Sequence, residues 1–380
     1  MRRPIPREAV KAVEPIIDDV ASRGLEAALE YSQRLDGVKP EKPLLTPRDG
    51  GSPEVVAAAL KTAEALERLY AQLTPRNVVD YHGGVLRTVI WRPVTSVALY
   101  VPARYISTLV MTAVPAKIAG VGKIYVVTPP RGATDELLAV AKWLGVEAVL
   151  QLGGPHGLAY AVFHLGVDMV AGPGGLYVQA AKYVLSQHVG IDGIEGPTEL
   201  VTYAEGVPPG VAAAGALAQL EHGPASTAYV LSPDGGLLRA VEEIYRRERT
   251  SSMGPLEVRK VADYREAAEV IDSIAPEHLE VWGRRELAYM VKNVGAVSVN
   301  MASPYLDYAA GISHVLPTGG AARWRGILTP ATFMKPIGIA EAIGHLELLQ
   351  AAEILAKYEG FQKHHEALQV HKNKWDRSFV

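Results

Sequence analysis

The chain has 380 residues, with 38 Lys and Arg against 41 Asp and Glu, a net charge of −3, 48% hydrophobic and 21% charged residues, and no cysteine. This is ordinary globular composition without a sequence-wide basic signal for nucleic acid, and no apolar run approaches the roughly 18 residues of a membrane span. The absence of cysteine excludes disulfides, zinc–thiolate sites, cysteine nucleophiles and iron–sulfur ligation, so a metal must be held by His, carboxylate or amide oxygen.

At roughly 150 residues per domain, two to three domains are expected. The basic start Met1-Arg2-Arg3-Pro4 is not followed by a signal-peptide apolar core, so a cytoplasmic protein is the expectation. Asn occurs four times, at 77, 293, 300 and 373. Scarce Asn and absent Cys suggest a thermophilic source, against which a melting temperature of about 50 °C, in the mesophile range, would count.

In chain order, 7–35 reads as helical with a break near Gly24. Ser52-Pro53-Glu54 opens a helix to about Gln72: Ser can cap, Pro fits the first turn and Glu suits the positive end. From Ser96 short β-branched strands (96–101, 123–128, 148–152, 167–171) alternate with helices (107–119, 134–144, 157–164, 176–188). The alternation restarts after Gly193, with strands at 199–203, 228–231, 279–282 and 296–300 and helices at 210–220 and 236–246. Such spacing predicts βαβ units around parallel sheets. The expected fold is α/β: two Rossmann-like parallel-sheet domains, one inserted in the other, with a helical N-terminal segment and a helical C-terminal tail over 339–376.

No G-x-G-x-x-G and no P-loop occurs. Two Gly-rich turns do follow predicted strands and precede helices: Gly153-Gly154-Pro155-His156-Gly157 and Gly172-Pro173-Gly174-Gly175. Their backbone N–H groups could hold phosphate, although tight strand-to-helix turns use Gly anyway. Gln219 and His222 lie three apart and share a helical face, where an amide oxygen and an imidazole could meet one metal ion; a polar helix end explains the same residues. Glu277-His278 offers an adjacent acid and base, or a capping Glu beside a buried His. Asp307 and His314 fall in a stretch, running on to Gly320, too irregular for regular structure; functional loops in α/β folds lie at strand C-terminal ends. Glu359-Gly360-Phe361-Gln362-Lys363-His364-His365, in the tail, reads alone as charged surface.

Taken together, these motifs resemble the histidinol dehydrogenase family from about Val10 to His371. The resemblance rests on Leu99-Tyr100-Val101-Pro102, Gly172-Pro173-Gly174, Gly196-Pro197-Thr198-Glu199, Gln219-Leu220-Glu221-His222-Gly223, Ala275-Pro276-Glu277-His278-Leu279, Asp307-Tyr308-Ala309-Ala310-Gly311 with His314-Val315-Leu316-Pro317-Thr318, and Glu359-Gly360. It implies an NAD-dependent enzyme with one zinc ion per subunit, oxidising L-histidinol through L-histidinal to L-histidine, the last step of histidine biosynthesis. By position, Gln219, His222, Asp307 and His364 match the zinc ligands and also contact substrate. Glu277 matches the water activator and His278 the general base. Thr198, in place of a family Ser, and His278, His314 and Glu359 match substrate contacts. The resemblance also implies a homodimer in which the tail's Glu359 and His364 act in trans.

The domains it implies are an N-terminal segment at 1–14, a zinc and substrate domain at 15–98 and 198–336, an inserted NAD-binding domain at 99–197, and a tail at 337–380. Tyr100, His156 and Gly175 fall at cofactor-binding positions, and the departures from the family cluster there. The family's Gly-Gly-Ala-Gln turn reads Gly153-Gly154-Pro155-His156, its Gly-Pro-Gly-Asn turn reads Gly172-Pro173-Gly174-Gly175, and Tyr-Val-Pro-Gly-Gly reads Tyr100-Val101-Pro102-Ala103-Arg104. Arg104 and His156 could compensate by meeting phosphate or ribose. Two other readings stay open: a paralogue oxidising another small amino or hydroxy alcohol, and a zinc-dependent binding protein without redox activity.

Overall fold

A computed structural model of the chain describes residues 5–375, with side chains to 370. The basic start and the last residues of the expected tail lie outside these bounds. Helix α1 (Arg7–Arg23) buries Ala9, Val13, Ile17 and Val20, a stripe at helical spacing. It breaks at Gly24, whose φ of 66° suits glycine, and α2 (Leu25–Tyr31) follows. Both helices belong to one buried cluster with Ala98, Tyr100, Leu158 and Ala181.

A short strand β1 (Leu44–Leu45) precedes α3 (Pro53–Tyr70). Pro53 sits in the first turn as expected, but Ser52 makes no side-chain cap. Its backbone N–H instead donates to Glu136 Oε1 at 2.9 Å. Strands β2 (Val78–His82) and β3 (Val85–Pro93) form an antiparallel hairpin around Gly83 and Gly84, both with positive φ.

The first α/β half then runs β4 (Ser96–Tyr100), α4 (Ile106–Ala119), β5 (Lys123–Val127), α5 (Asp135–Leu144), β6 (Ala148–Leu150), α6 (Gly154–Phe163), β7 (Met169–Ala171), α7 (Leu176–Leu185) and β8 (Gly190–Ile191). The second runs β9 (Glu199–Ala204), α8 (Pro209–Leu220), β10 (Thr227–Ser232), α9 (Gly235–Glu248), β11 (Leu256–Lys260), α10 (Tyr264–Ile274), β12 (His278–Trp282), β13 (Ala296–Val299) and α11 (Ser303–Tyr308). Strand β14 (Met334–Ala342) and helices α12 (Leu349–Tyr358) and α13 (Gln362–Trp375) end the described chain.

The two sheets repeat one topology. The first has the order β1-β6-β5-β4-β7-β8, parallel except for β1, and the second β11-β10-β9-β12-β13, parallel throughout. Each is wound outward both ways from its first long strand, so each has a topological switch point, between β4 and β7 and between β9 and β12. Strands β4, β5, β9 and β10 are nearly continuous apolar runs because helices cover both faces of such sheets.

The chain divides by contact into one unit of Met1–Thr74 with Pro93–Phe333 and another of Pro75–Arg92 with Met334–Val380. The expected bounds of 15–98 and 198–336 against 99–197 differ from this division, and they also place β1 and the start of β4 apart from the sheet to which both strands belong. The second unit holds a three-stranded sheet, β14-β3-β2, with α12 and α13. The helical reading of the tail from residue 339 is corrected here: 339–342 belongs to β14. Ile337 and Ile339 alternate with period two, and Pro336 and Gly338 disfavour a helix.

Gly172 ends β7 with φ of 112°, and a Cβ there would stand 2.3 Å from the Tyr100 carbonyl. Gly172→Ala is therefore expected to cost about 1–3 kcal/mol from backbone strain, with the close approach adding to it. Chemical denaturation would read this as a lower midpoint, and an unchanged midpoint would count against the packing described.

Candidate active site

Residues 192–198 join the two sheets. The chain leaves β8 at its C-terminal end and enters β9 at its N-terminal end. This short link brings the C-terminal edge of the first sheet to the N-terminal edge of the second. The candidate residues gather there. Glu199 is the first residue of β9 and His278 the first of β12, and His278 registers with Leu200. These positions lie at strand N-terminal ends, whereas the Gly172 turn follows the C-terminal end of β7 and Asp307 follows that of β13. Gln219 joins the same edge because α8 runs back to its C-terminus before β10 begins.

Asp307 reaches this edge by a return path. It lies in α11 rather than in the irregular stretch expected from its sequence. Glu280 Oε1 accepts the Ser303 N–H at 2.6 Å at the start of α11, and His278 Nε2 stands 3.4 Å from Asp307 Oδ1 near its end. From 303 to 307 a helix rises about 6 Å, and from 280 to 278 a strand spans about 6.6 Å. The lengths match, so α11 lies back along β12. Glu280 also accepts from Trp282 Nε1 at 3.3 Å and Thr202 Oγ1 at 3.4 Å.

His314 is held by the first half. Its Nδ1 meets the Asp307 carbonyl at 3.1 Å and its Nε2 meets Thr108 Oγ1 of α4 at 3.2 Å. A carbonyl only accepts, so Nδ1 carries the proton and Nε2 accepts from the hydroxyl. The neighbouring Ser313 donates its N–H to Tyr70 Oη at 3.0 Å and its hydroxyl to the Met111 carbonyl at 3.2 Å. Thr198 Oγ1 donates to Ser226 Oγ at 2.9 Å.

The electrostatics are those of a largely buried, acid-rich cluster. Burial, then the nearby Asp307, Glu199 and Glu195, push the Glu277 carboxyl well above its usual range. Gln219 faces that carboxyl and offsets the rise slightly. Neither Gln219 Nε2 nor Glu277 Oε2 completes a hydrogen bond of good geometry among the described residues. Burial raises Asp307 to about 7, with Glu280 adding to the rise. Burial lowers His278 to about 3 and His314 to about 4, and His222 lies near enough to both to contribute. The His278–Asp307 contact is therefore no ion pair at neutral pH, since the imidazole is uncharged.

Two residues that sequence reasoning missed complete the pocket. Glu280 is fully buried, and Glu199, quoted only as part of a motif, is raised by burial to about 7 while accepting the Gly319 N–H at 3.0 Å. A folded-state value above the unfolded one means the native chain holds an extra proton between pH 4.5 and about 7, so stability falls as pH rises through that window. Glu199→Gln is expected to raise the melting temperature relative to wild type at pH 8 but not at pH 4. An equal shift at both values would refute the assignment.

Asp307 Oδ1 is buried without a hydrogen bond, and His222, three residues after Gln219, is exposed. Carboxylate, amide and imidazole suit a divalent ion with open positions. Among the described residues no three His, Asp or Glu side chains converge as a metal cage. From the first unit the candidate set supplies only His222 and Asp307 of that kind. His364 and Glu359 belong to the second unit, where the His364 ring stacks on Phe361 at 4.8 Å.

At the first sheet's edge, burial pushes the Tyr100 hydroxyl up to about 12, against the backbone of Gly154. Gly175 caps α7 without a side chain, and a Cβ there would meet open space. Arg104 is exposed and adopts φ of 72°, a glycine-like conformation. His156 departs from the expectation that it reaches phosphate or ribose. It is 1% exposed, its Nε2 lies 3.2 Å from Asp36 Oδ2, and its ring stacks on Tyr31 at 6.5 Å. Asp36 also accepts the Gly153 N–H at 3.2 Å, so His156 braces the turn from behind.

Comparison with known proteins bears on the whole chain. The family model for histidinol dehydrogenase matches residues 3–372. The chain is 72% identical over 366 residues to a histidinol dehydrogenase of Pyrobaculum aerophilum, covering 96% of this chain and 100% of that one. It is 36% identical to one of Thermus thermophilus, covering 95% and 94%. The crystal structure of histidinol dehydrogenase from Elizabethkingia anophelis shares the fold, with a TM-score of 0.86 at 22% identity, over 99% of this chain and 94% of that one.

Proposed function

The chain belongs to the histidinol dehydrogenase family, and we propose that it oxidises L-histidinol through L-histidinal to L-histidine, with zinc and NAD. The observation that carries this reading is the meeting of Glu277, His278, Asp307 and Gln219 at one buried edge, with unpartnered polar atoms on Asp307, Gln219 and Glu277.

Gln219, His222 and Asp307 would hold the zinc, with His364 as the fourth ligand. When bound, zinc supplies a positive centre that anchors and orients the substrate's amino and imidazole groups. In the first oxidation His278, kept uncharged by burial, takes the hydroxyl proton as hydride leaves the alcohol carbon for the nicotinamide. The imidazolium so formed stands beside Asp307. In the second, Glu277 takes a proton from water as its oxygen attacks the aldehyde, and the His278 imidazolium gives its proton to the aldehyde oxygen, which forms the hydrate and frees His278. His278 then takes a hydroxyl proton of the hydrate as the second hydride leaves. Each turnover consumes two NAD⁺ and one water and releases two NADH, the carboxylate and three protons. Thr198, His314 and Glu359 bound the substrate.

The cofactor would sit at the first sheet's switch point, over Tyr100 and the open N-terminus of α7 at Gly175, a natural phosphate site. His156 acts there through Asp36 and the Gly153 backbone. Arg104 reaches toward phosphate from outside, and Arg104→Ala is expected to raise the KM for NAD with kcat little changed; an unchanged KM would remove it.

A homodimer completes the site, with the partner's tail in trans. Val79, Tyr81, Ile354, Leu355 and Tyr358 of the second unit are exposed apolar side chains, with Tyr358 88% exposed, as an unpaired interface would be. Mixing inactive His278→Asn and His364→Ala proteins under subunit exchange is expected to restore part of the activity; no recovery would refute action in trans. No helix among the described residues is long and apolar enough to cross a membrane, and a biosynthetic enzyme of this kind works in the cytoplasm.

The deciding experiment is NADH formation from L-histidinol by purified, zinc-loaded protein. Two NADH per histidinol, lost on chelation and restored by zinc, is the expected result. No turnover, with histidinol still raising the melting temperature, would favour a binding protein instead.

A further inference from the structure

Helix α7 turns two polar side chains inward that the chemistry above does not use. Gln179 and Lys182 stand three residues apart and share a face, and they are 2% and 0% exposed. Each reaches back to the turn before its own helix. Gln179 Nε2 donates to the Gly174 carbonyl at 3.2 Å, and Lys182 Nζ donates to the Gly172 carbonyl at 3.0 Å. Each also reaches the link between the sheets. Gln179 Oε1 accepts the Glu195 N–H at 3.0 Å, and Lys182 Nζ pairs with Asp192 Oδ1 at 2.6 Å and Glu195 Oε2 at 3.1 Å.

Asp192 closes the ring, its Oδ2 accepting the Gly172 N–H at 2.7 Å. From the other side, Arg325 donates to the Asp192 carbonyl and pairs with Glu195 Oε1, both at 2.7 Å. Gly193 leaves the room for this: a Cβ there would collide with the Arg325 guanidinium. The link then continues into Gly196, whose N–H and C=O both meet Thr318 Oγ1, and into Thr198 and Glu199.

Two cations and two carboxylates cancel. Apolar side chains would hold α7 to the sheet as firmly, since burying ions is costly. What the charged and amide groups add is direction: both backbone groups of Gly172 and the N–H of Glu195 are fixed by named atoms. We propose that Gln179 and Lys182 are positioning residues, a clamp that fixes the Gly172–Gly175 turn against the 192–198 link so that the cofactor and substrate halves of the site meet in register. The proposal rests on the reading that this turn takes the cofactor.

The test uses the whole, zinc-loaded protein. Gln179→Met keeps volume, changes no charge and removes both bonds; Lys182→Met is the stronger variant. NADH binding is read by its fluorescence and histidinol binding by the concentration dependence of the melting temperature. Gln179→Met is expected to weaken both by about tenfold although it touches neither ligand. Amide exchange on the unliganded variant is expected to lose protection at Glu195 and in the 172–175 turn together, with β4 and β5 still protected. Unchanged affinities in the folded variant overturn the clamp, as does loss of protection across the whole first sheet. Gln179→Asn replaces the Met variant should that one fail to fold. If wild type binds no NADH, the cofactor reading fails by itself, and the exchange pattern still decides whether turn and link are joined.

Discussion

Replacing His278 by Asn is expected to lower NADH formation from L-histidinol by about 10²–10⁴-fold, the usual worth of a positioned general base. The variant keeps a polar side chain at the head of β12, where burial already excludes a charge, so the fold is expected to survive. Histidinol should still raise its melting temperature, because Gln219, His222 and Asp307 remain. The effect then falls on kcat rather than on substrate affinity, the signature of an interaction made only in the transition state. Turnover within about tenfold of wild type would remove His278 from the proton transfers.

Glu277→Gln should divide the two oxidations. The amide is nearly isosteric but cannot take a proton. Burial and the surrounding carboxylates raise the Glu277 pKa, which makes its ionised form a stronger base, as activation of water requires. With histidinal supplied as substrate, the rate is expected to fall by about 10²-fold or more. The first oxidation, which does not use this group, should fall far less. The yield of NADH then drops from two per histidinol toward one, and a carbonyl trap should capture histidinal. Equal loss in both halves would show that Glu277 holds the pocket rather than activating water.

Much of this protein was legible in the sequence. Short β-branched apolar runs and helical patterns marked the alternating strands and helices of both halves, because parallel strands buried on both faces must be apolar. The break at Gly24 and the first-turn Pro53 followed from backbone sterics alone. The strand β14 was missed because a strand exposed along most of its length carries no core-facing signal. The hairpin of β2 and β3 went unread for the same reason, although Gly83-Gly84 was its available mark.

The site divides the same way. Residue types set the chemistry: a cysteine-free chain with Gln219, His222, Asp307 and the Glu277-His278 pair can offer oxygen and imidazole ligands and an acid–base pair wherever it folds. Motifs, side-chain chemistry and local periodicity were thus enough for the family, the α/β class and the candidate groups.

The tertiary structure decided which edge of each sheet is used. A short link from β8 into β9 sets the C-terminal edge of one sheet against the N-terminal edge of the other, and α11 lies back along β12 to bring Asp307 to His278. It also turned His156 inward to Asp36 and buried the Lys182 network. Those outcomes depend on contacts between residues far apart in the chain, and on the dry surroundings those contacts create. Burial is what holds His278 uncharged and raises Glu277 and Asp307, and it exists only once the two halves have closed on one another.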